Sequence, residues 1–395
     1  MNGTHDNPQW PLYICCFGSM ASMRMCDSML PVLATEFAVS ADRAAQTISL
    51  FALAYGVFQL GSGPFGDRFG KLRVIALAAF ACALGNLGAC VAGNLDELRV
   101  ARIFSGAAAA GIVPLTMAWI GDHSPDGERQ GALARLLGAT VFGMIAGQWG
   151  GAALASSWGW RAPFVSIAAV FVLGWFAVLS VSPSIARDTS AKQPAFVRQT
   201  RDMLRASRVR MVLLVTFVEG ALAYSALAFL PTYLNTSFAL PSSTAGLIAS
   251  SYGVGGLLYS LSSKRVIRRF RDARLARLGG LLLAMSLLAL AVSPFWWLPV
   301  PACVLAGFGF YALHNVLQSH AAQMAPHARG TAVSLFSCVL FLGQSFGIAL
   351  GARSIAHASV RILFAVCALG LLVLALVFAH LSTPRRGALT SRVPE

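Results

Sequence analysis

Long apolar stretches separated by short polar ones dominate this chain of 395 residues. A helix needs about 20 mostly apolar residues to cross the hydrocarbon core of a bilayer, and twelve stretches come close to that length or exceed it. Transmembrane β-strands would alternate polar and apolar residues, which these stretches do not. The pattern predicts an all-α integral membrane protein with twelve transmembrane helices, at residues 11–34, 45–65, 73–93, 98–121, 131–156, 162–182, 211–234, 244–263, 276–293, 297–320, 330–352 and 360–381.

The longest polar interruption, residues 183–210, separates six predicted helices from six. The two sides also resemble each other: FAVSADRAAQTIS from Phe37 matches FALPSSTAGLIAS from Phe238, and further short matches follow in the same order. Internal repeats of this kind are typical of secondary transporters, whose binding site lies between the halves near the bilayer midplane. We therefore expect two pseudo-symmetric six-helix bundles, at 1–182 and 211–395, joined by a cytoplasmic linker at 183–210.

Composition and charge fit a membrane protein and not a nucleic-acid-binding one. Hydrophobic residues make up 57% of the chain and charged residues 11%, yet the net charge is +15. If the N-terminus is inside, 23 of the 30 Lys and Arg residues fall in cytoplasmic segments and five fall outside. This asymmetry is the positive-inside rule. It predicts a multi-pass protein of the inner (plasma) membrane with both termini cytoplasmic, and we expect no nucleic-acid partner.

The sequence carries no motif that supports an enzyme or a bound cofactor. The eight cysteines lie in apolar stretches without CxxC spacing, so they are interpreted as small buried hydrophobes and not metal ligands. Residues 343–347 match the GxSxG pattern of hydrolases. That motif requires a turn between a strand and a helix, whereas these residues lie inside a predicted helix. No nucleotide-binding fingerprint occurs. We expect neither an enzyme nor a cofactor.

The stretch GPFGDRFGKLR at residues 63–73 lies between helices 2 and 3. It resembles the signature loop of the major facilitator superfamily, and the resemblance extends over nearly the whole chain. Residues 102–106, RIFSG, resemble the helix 4 signature of that family. The glycines of helix 5 resemble its antiporter signature, although Gln148 stands where proline is usual. The resemblance implies alternating access by two rocking halves and favours the drug and sugar efflux branch.

The hinge at 63–73 supplies the candidate gating residues. Gly66 and Gly70 permit a tight turn, and we expect Asp67 to end helix 2. The family resemblance implies that Asp67 docks near the N-terminus of helix 11 when the cytoplasmic side closes. The alternative is a loop that only orients the chain through its basic residues. The predicted gating set is Gly63, Gly66, Asp67, Arg68, Gly70 and Lys71.

Ionisable residues inside the predicted spans are functional candidates, because charge in a membrane is expensive. Arg24 and Asp27 are three residues apart on one face of helix 1. They can neutralise each other, or Asp27 can carry a proton while Arg24 anchors an anionic substrate. Glu219 has no basic neighbour within one turn, so burial favours its neutral form. It is interpreted as a proton carrier, or as a core acid that never ionises.

Further polar residues in the spans are predicted to bind substrate. The family resemblance implies that Arg102 of helix 4 faces the central cavity or pairs with an acid of helix 1. The alternative is an interfacial arginine that extends outward. Four other side chains can form uncharged hydrogen bonds to a substrate or can instead bridge helices: Gln148, His314, Asn315 and Gln344. Four aromatic residues can line a pocket, or each can pack in the core or face lipid: Trp119, Tyr224, Tyr252 and Phe310. The predicted substrate-binding set is Arg24, Arg102, Gln148, His314, Asn315 and Gln344, and the predicted proton-coupling pair is Asp27 and Glu219.

Together these features predict a monomeric secondary transporter whose partners are protons, a small molecule and the lipid bilayer. The preferred interpretation is proton-coupled efflux of a small amphipathic compound. One alternative is proton-coupled uptake of a small organic anion, favoured by Arg24 and Arg102. A second is a membrane sensor that has kept the transporter fold without transporting.

Overall fold

The computed structural model describes residues 9–125, 128–181, 196–324 and 329–382. Within these ranges the chain forms helices and no strand. The helices are α1 Trp10–Glu36, α2 Ala41–Phe69, α3 Lys71–Cys90, α4 Leu95–Ala109, α5 Ile112–His123, α6 Arg129–Trp158, α7 Ala162–Val181, α8 Phe196–Arg205, α9 Ser207–Phe238, α10 Ser242–Arg269, α11 Asp272–Val292, α12 Pro299–Gln323, α13 Arg329–His357 and α14 Val360–Leu381.

The prediction of twelve membrane crossings is confirmed. The helices α4 and α5 form one crossing that is interrupted at Ala110 and Gly111. Ten crossings are long and apolar enough by composition alone. The other two, α1 with 27 residues and α10 with 28, are equally long but more polar. The ten-residue helix α8 is too short to cross and stands between the two halves, α1–α7 and α9–α14.

Two connecting segments bear on the sequence-based expectations. Of the predicted linker at 183–210, residues 183–195 lie outside the described residues, and the described part contains α8 and the start of α9. The expectation that Asp67 ends helix 2 is wrong, because α2 continues to Phe69. The turn is made by Gly70, with φ of 90°. Gly66 is inside α2, where its Cα packs against Leu115 of α5.

Glycine rows join the same pair of helices in each half. On α6, Gly147 lies against the backbone carbonyl of Ala21 on α1, with Gly143 and Gly151 one turn to either side. On α13, Gly343 lies against the carbonyl of Phe217 on α9, with Gly347 one turn further. A side chain at these positions would collide with the backbone of the neighbouring helix. Small residues allow this close approach in membranes, and the shared arrangement bears out the pseudo-symmetry expected from the repeat.

The halves meet along two seams, α2 with α13 and α6 with α10. In the first seam, a Cβ added to Gly56 would lie 3.0 Å from the carbonyl oxygen of Cys338. Two turns further along the same face of α2, Gly63 has nothing within 4 Å. In the second seam, a Cβ added to Gly253 would lie 2.5 Å from Ile145, whereas Gly138, two turns before Ile145 on α6, has nothing within 4 Å. Both seams therefore part toward the end where α2 and α10 finish.

The opposite end of the molecule is closed. Residues 18–30 of α1 and 223–234 of α9 are buried at every position, so each helix is surrounded on all sides there. The structure is thus open at one end and closed at the other. The positive-inside rule predicts that the open end is cytoplasmic.

Candidate functional site

Arg24 and Asp27 form an ion pair on α1 at the junction of the halves. The guanidinium Nη2 lies 2.9 Å from the carboxylate Oδ2, and both side chains are fully buried. The angle at this contact is too poor for a hydrogen bond. Within the described part of the chain, none of the three nitrogens of Arg24 and neither oxygen of Asp27 has a hydrogen-bond partner. The charges neutralise each other while the donors of Arg24 stay unused.

Arg24 also reaches across to the second half of the molecule. Its Cζ atom lies 5.4 Å from the ring centroid of Tyr224 on α9, a cation–π distance. The guanidinium also interacts electrostatically with the hydroxyl groups of Tyr252 on α10 and Tyr311 on α12. Arg24 therefore contacts, or lies near, three helices of the half to which it does not belong.

A cluster of aromatic rings surrounds Phe310 on α12. The ring centroids of Tyr224, Tyr252 and Tyr311 lie 5.5, 5.9 and 5.5 Å from that of Phe310. The Tyr311 hydroxyl is 3.8 Å from the sulfur of Met144 on α6. Three of the four residues considered for an aromatic pocket thus come together. The fourth, Trp119, is on α5 and stacks on His123.

Glu219 on α9 pairs with His314 on α12. The Oε2 atom of Glu219 is 3.0 Å from Nδ1 of His314, and the carboxylate is fully buried while the imidazole is 16% exposed. The other oxygen, Oε1, has no hydrogen-bond partner among the described residues. His314 stacks on Phe310 with ring centroids 5.2 Å apart. Glu219 thus lacks a basic neighbour on its own helix but finds one on another, and the pair joins the aromatic cluster.

The predicted amide ligands occupy matching places in the two halves. Gln148 follows Gly147 on α6, and Gln344 follows Gly343 on α13; both are buried. The Nε2 of Gln148 and both amide atoms of Gln344 have no hydrogen-bond partner in the part of the chain that the structure describes. Asn315 follows His314 on α12 and is half-buried. Their substrate-binding role stays a prediction.

Arg102 on α4 is placed very differently from Arg24. Its Nε donates to the carbonyl of Thr47 at 3.2 Å, and its Nη1 and Nη2 donate to Oγ and the carbonyl of Ser22 at 3.3 and 2.9 Å. The guanidinium also lies 4.0 Å from the ring centroid of Phe51. All three nitrogens are therefore engaged with α1 and α2. This geometry favours positioning of α1, and the substrate-binding role of Arg102 stays a prediction.

At the hinge, charged residues pair within the first half. Lys71 lies 3.7 Å from Asp67 and 2.7 Å from Asp122 of α5, and Arg68 stacks on Phe69. In this structure the seam between α2 and α13 is parted at this end. Docking of Asp67 against α13, which corresponds to predicted helix 11, stays a prediction.

Sequence reasoning missed two groups of residues near the site. Tyr311 and Met144 complete the aromatic cluster across the second seam, and only the proximity of Tyr311 to Phe310 in sequence hints at it. Ser22 and Thr47 accept hydrogen bonds from Arg102. Nothing in the sequence marks them, since carbonyl acceptors exist at every residue.

Comparison with known proteins agrees with this architecture. The family model described as Major Facilitator Superfamily matches residues 12–348, and again 212–394. The chain is 26% identical over 331 residues to the uncharacterized MFS-type transporter YceJ of Bacillus subtilis, covering 82% of each chain. It is 24% identical over 322 residues to multidrug resistance protein 2 of the same organism, covering 77% of this chain and 79% of that one.

The fold is similar to that of the xylose transporter XylE from E. coli in a partially occluded inward open conformation. The TM-score is 0.75 at 14% sequence identity, with 95% of this chain and 97% of that chain covered. Twelve crossings, paired halves and a match of the family model over most of the chain lead to one conclusion: this chain belongs to the Major Facilitator Superfamily, a family of membrane transporters.

Proposed function

We propose that this protein exports a small amphipathic compound in exchange for protons, by alternating access. The observation that carries the proposal is the buried pair of Glu219 and His314. It shares one aromatic cluster with the ion pair of Arg24 and Asp27, at the junction of the two halves. Ionisable groups at this depth mark substrate and proton pathways in membrane proteins.

The chemistry of coupling follows from the cost of unbalanced charge in a low-dielectric site. Glu219 and His314 can hold a proton between Oε2 and Nδ1, and Asp27 can hold one when it leaves Arg24. A change in the protonation of Glu219 or Asp27 then switches the site between binding and release of the compound. The aromatic rings provide the apolar surface that an amphipathic compound requires.

The geometry of the seams supports alternating access. Both seams part at one end while residues 18–30 and 223–234 are enclosed at the other. Closing the parted ends and opening the enclosed one would give access to the buried site from the other side. With the orientation given by the positive-inside rule, the termini are cytoplasmic, the membrane is the inner membrane and the open end faces the cytoplasm. Export as the direction is supported by the likeness to multidrug resistance protein 2.

Proteoliposomes with an imposed pH gradient and an internal pH dye test the proposal. Three probes share a 2-naphthyl body: the anionic sulfonate, the neutral sulfonamide and the cationic methyl-trimethylammonium. We expect at least one probe to move against a proton influx. Accumulation together with proton influx would indicate uptake instead. Absence of proton-coupled movement with all three probes would overturn the proposal.

A further inference from the structure

We infer that the transported compound is an organic monoanion with an aromatic body, and that its charged head binds to Arg24. The inference rests on the proposed function, because it concerns the same site. It specifies the charge of the compound, which the proposed function leaves open.

The N–H donors of Arg24 lack hydrogen-bond acceptors among the described residues. A guanidinium has five N–H donors and no acceptor, and Arg24 is fully buried without a hydrogen bond among the described residues. Asp27 supplies a charge at 2.9 Å but no aligned acceptor. Arg102 is buried to the same extent and has all three nitrogens hydrogen-bonded. Burial alone does not leave an arginine without acceptors here, so the unused donors distinguish Arg24.

Asp27 interacts electrostatically with both Arg24 and Arg102, so two guanidinium groups face a single carboxylate. Glu219 is already paired with His314. A guanidinium without aligned acceptors attracts a negative head group and repels a positive one. A planar or trigonal head with several oxygens, such as a carboxylate or sulfonate, also matches the fork of N–H donors.

Aromatic rings form the surface next to the Arg24 guanidinium. Arg24 lies 5.4 Å from the ring of Tyr224, which contacts Phe310, and Phe310 contacts Tyr252 and Tyr311. An anion bound to Arg24 therefore lies close to aromatic rings. Edge and face contacts between rings stabilise an aromatic body beyond the area that it buries.

A cationic groove lies on the last turns of α10. A groove of about 420 Å³ is lined by Ser263, Lys264, Ile267 and Arg268 of α10. Lys264 is eleven residues, or three helical turns, from Gly253, so both lie on the face of α10 that meets α6. Positive charge at the entrance to a low-dielectric cleft raises the local concentration of anions. The groove thus favours the same charge as the deeper site.

Binding of the three naphthyl probes to the purified protein tests the inference. The sulfonate stays ionised at all working pH values, so its own protonation cannot imitate coupling. We expect it to bind the wild type, with the sulfonamide and the ammonium at least about tenfold weaker, the loss that one charged hydrogen bond represents. The double variant Arg24→Gln/Asp27→Asn removes both charges together and leaves no unpaired ion. It should bind the sulfonate at least about tenfold more weakly.

Two further variants guard against an effect on folding. Arg24→Lys keeps the charge but loses the fork of donors, so it should bind the sulfonate with intermediate affinity. The exposed arginine Arg277 on α11 serves as the control, and Arg277→Gln should bind like the wild type. Equal affinity for the ammonium, or unchanged sulfonate affinity in both Arg24 variants, would overturn the inference.

The transport assay separates this inference from the proposed function. Proton-coupled movement of the ammonium but not of the sulfonate would leave the exporter proposal standing and refute the anion. Sulfonate binding that depends on Arg24, without coupling for any probe, would refute the exporter and leave the binding site standing.

Discussion

The Oε2 atom of Glu219 on α9 lies 3.0 Å from Nδ1 of His314 on α12. Two groups that can each hold a proton are therefore in direct contact inside the membrane, and the imidazole stacks on Phe310 of the aromatic cluster. The pair is therefore in direct contact with the aromatic cluster.

Replacement of Glu219 by glutamine tests the coupling role. Gln has nearly the same shape and can still bond His314, but it cannot exchange a proton. We expect Glu219→Gln proteoliposomes to show proton movement at the level of empty vesicles while probe binding persists. The control is Asp202→Asn on α8, where the acid is exposed. Normal proton-coupled transport by Glu219→Gln would exclude Glu219 as the carrier.

Arg102 is expected to stabilise the fold. The change Arg102→Gln removes hydrogen bonds from a charged group to Ser22 and Thr47, which should lower the free energy of unfolding by about 3 kcal/mol or more. The melting temperature in detergent measures this loss. The exposed Arg353, changed to Gln, should melt like the wild type. An unchanged melting temperature in Arg102→Gln would contradict the positioning role.

The glycine row on α6 offers a matched pair of substitutions. Gly147 lies against the carbonyl of Ala21, whereas Gly150, three residues further along the same helix, has nothing within 4 Å. We expect Gly147→Leu to destabilise the protein by about 1–3 kcal/mol or more through overpacking. Gly150→Leu should have little effect. Recovery of folded protein after heating compares the two, and equal recovery would argue against tight α1–α6 packing.

The gating role of Asp67 can be followed with a cysteine reporter at Gly63, which faces open space. Docking of a carboxylate at the N-terminus of α13 would stabilise the closed state by about 0.3–1 kcal/mol. Asp67→Asn should therefore raise the labelling rate of Gly63→Cys by about two- to fivefold.

The native cysteines are buried or half-buried, so they contribute little background labelling. Asp96→Asn, an exposed acid at the start of α4, should leave the labelling rate unchanged. The same rate with and without Asp67→Asn would exclude the gate contact.

The cationic groove is expected to control rate and not affinity. Lys264→Gln/Arg268→Gln should slow sulfonate transport at low salt and flatten its dependence on ionic strength, because steering by exposed charge is screened by salt. Arg274→Gln, an exposed charge on α11, is the control. A wild-type rate that does not respond to salt would refute steering.

Much of the fold could be predicted because apolar length alone marks a membrane helix. The errors lie where that signal fails. Asp67 and Arg68 read as loop residues, yet they sit on the last turn of α2, which extends past the apolar stretch. The break at Ala110 and Gly111 carries no polar signal, since the whole region is apolar.

The sequence indicated which residues form the site, but it did not indicate which residues contact each other. Buried charge made Arg24, Asp27, Arg102 and Glu219 stand out. Which of them has free donors depends on helix rotation, and Glu219 meets His314 across 95 positions of sequence. Such contacts follow from packing and leave no local pattern.

The glycine row between α1 and α6 has a consequence for measurement. Gly147 contacts the backbone of Ala21, three residues before Arg24, so we expect α1 and α6 to move together and Arg24 to move with the first half. Tyr224 travels with the other half, on α9. The distance of 5.4 Å between the Arg24 guanidinium and the Tyr224 ring should therefore change when one half moves relative to the other. A measurement of this distance would report the extent of that movement.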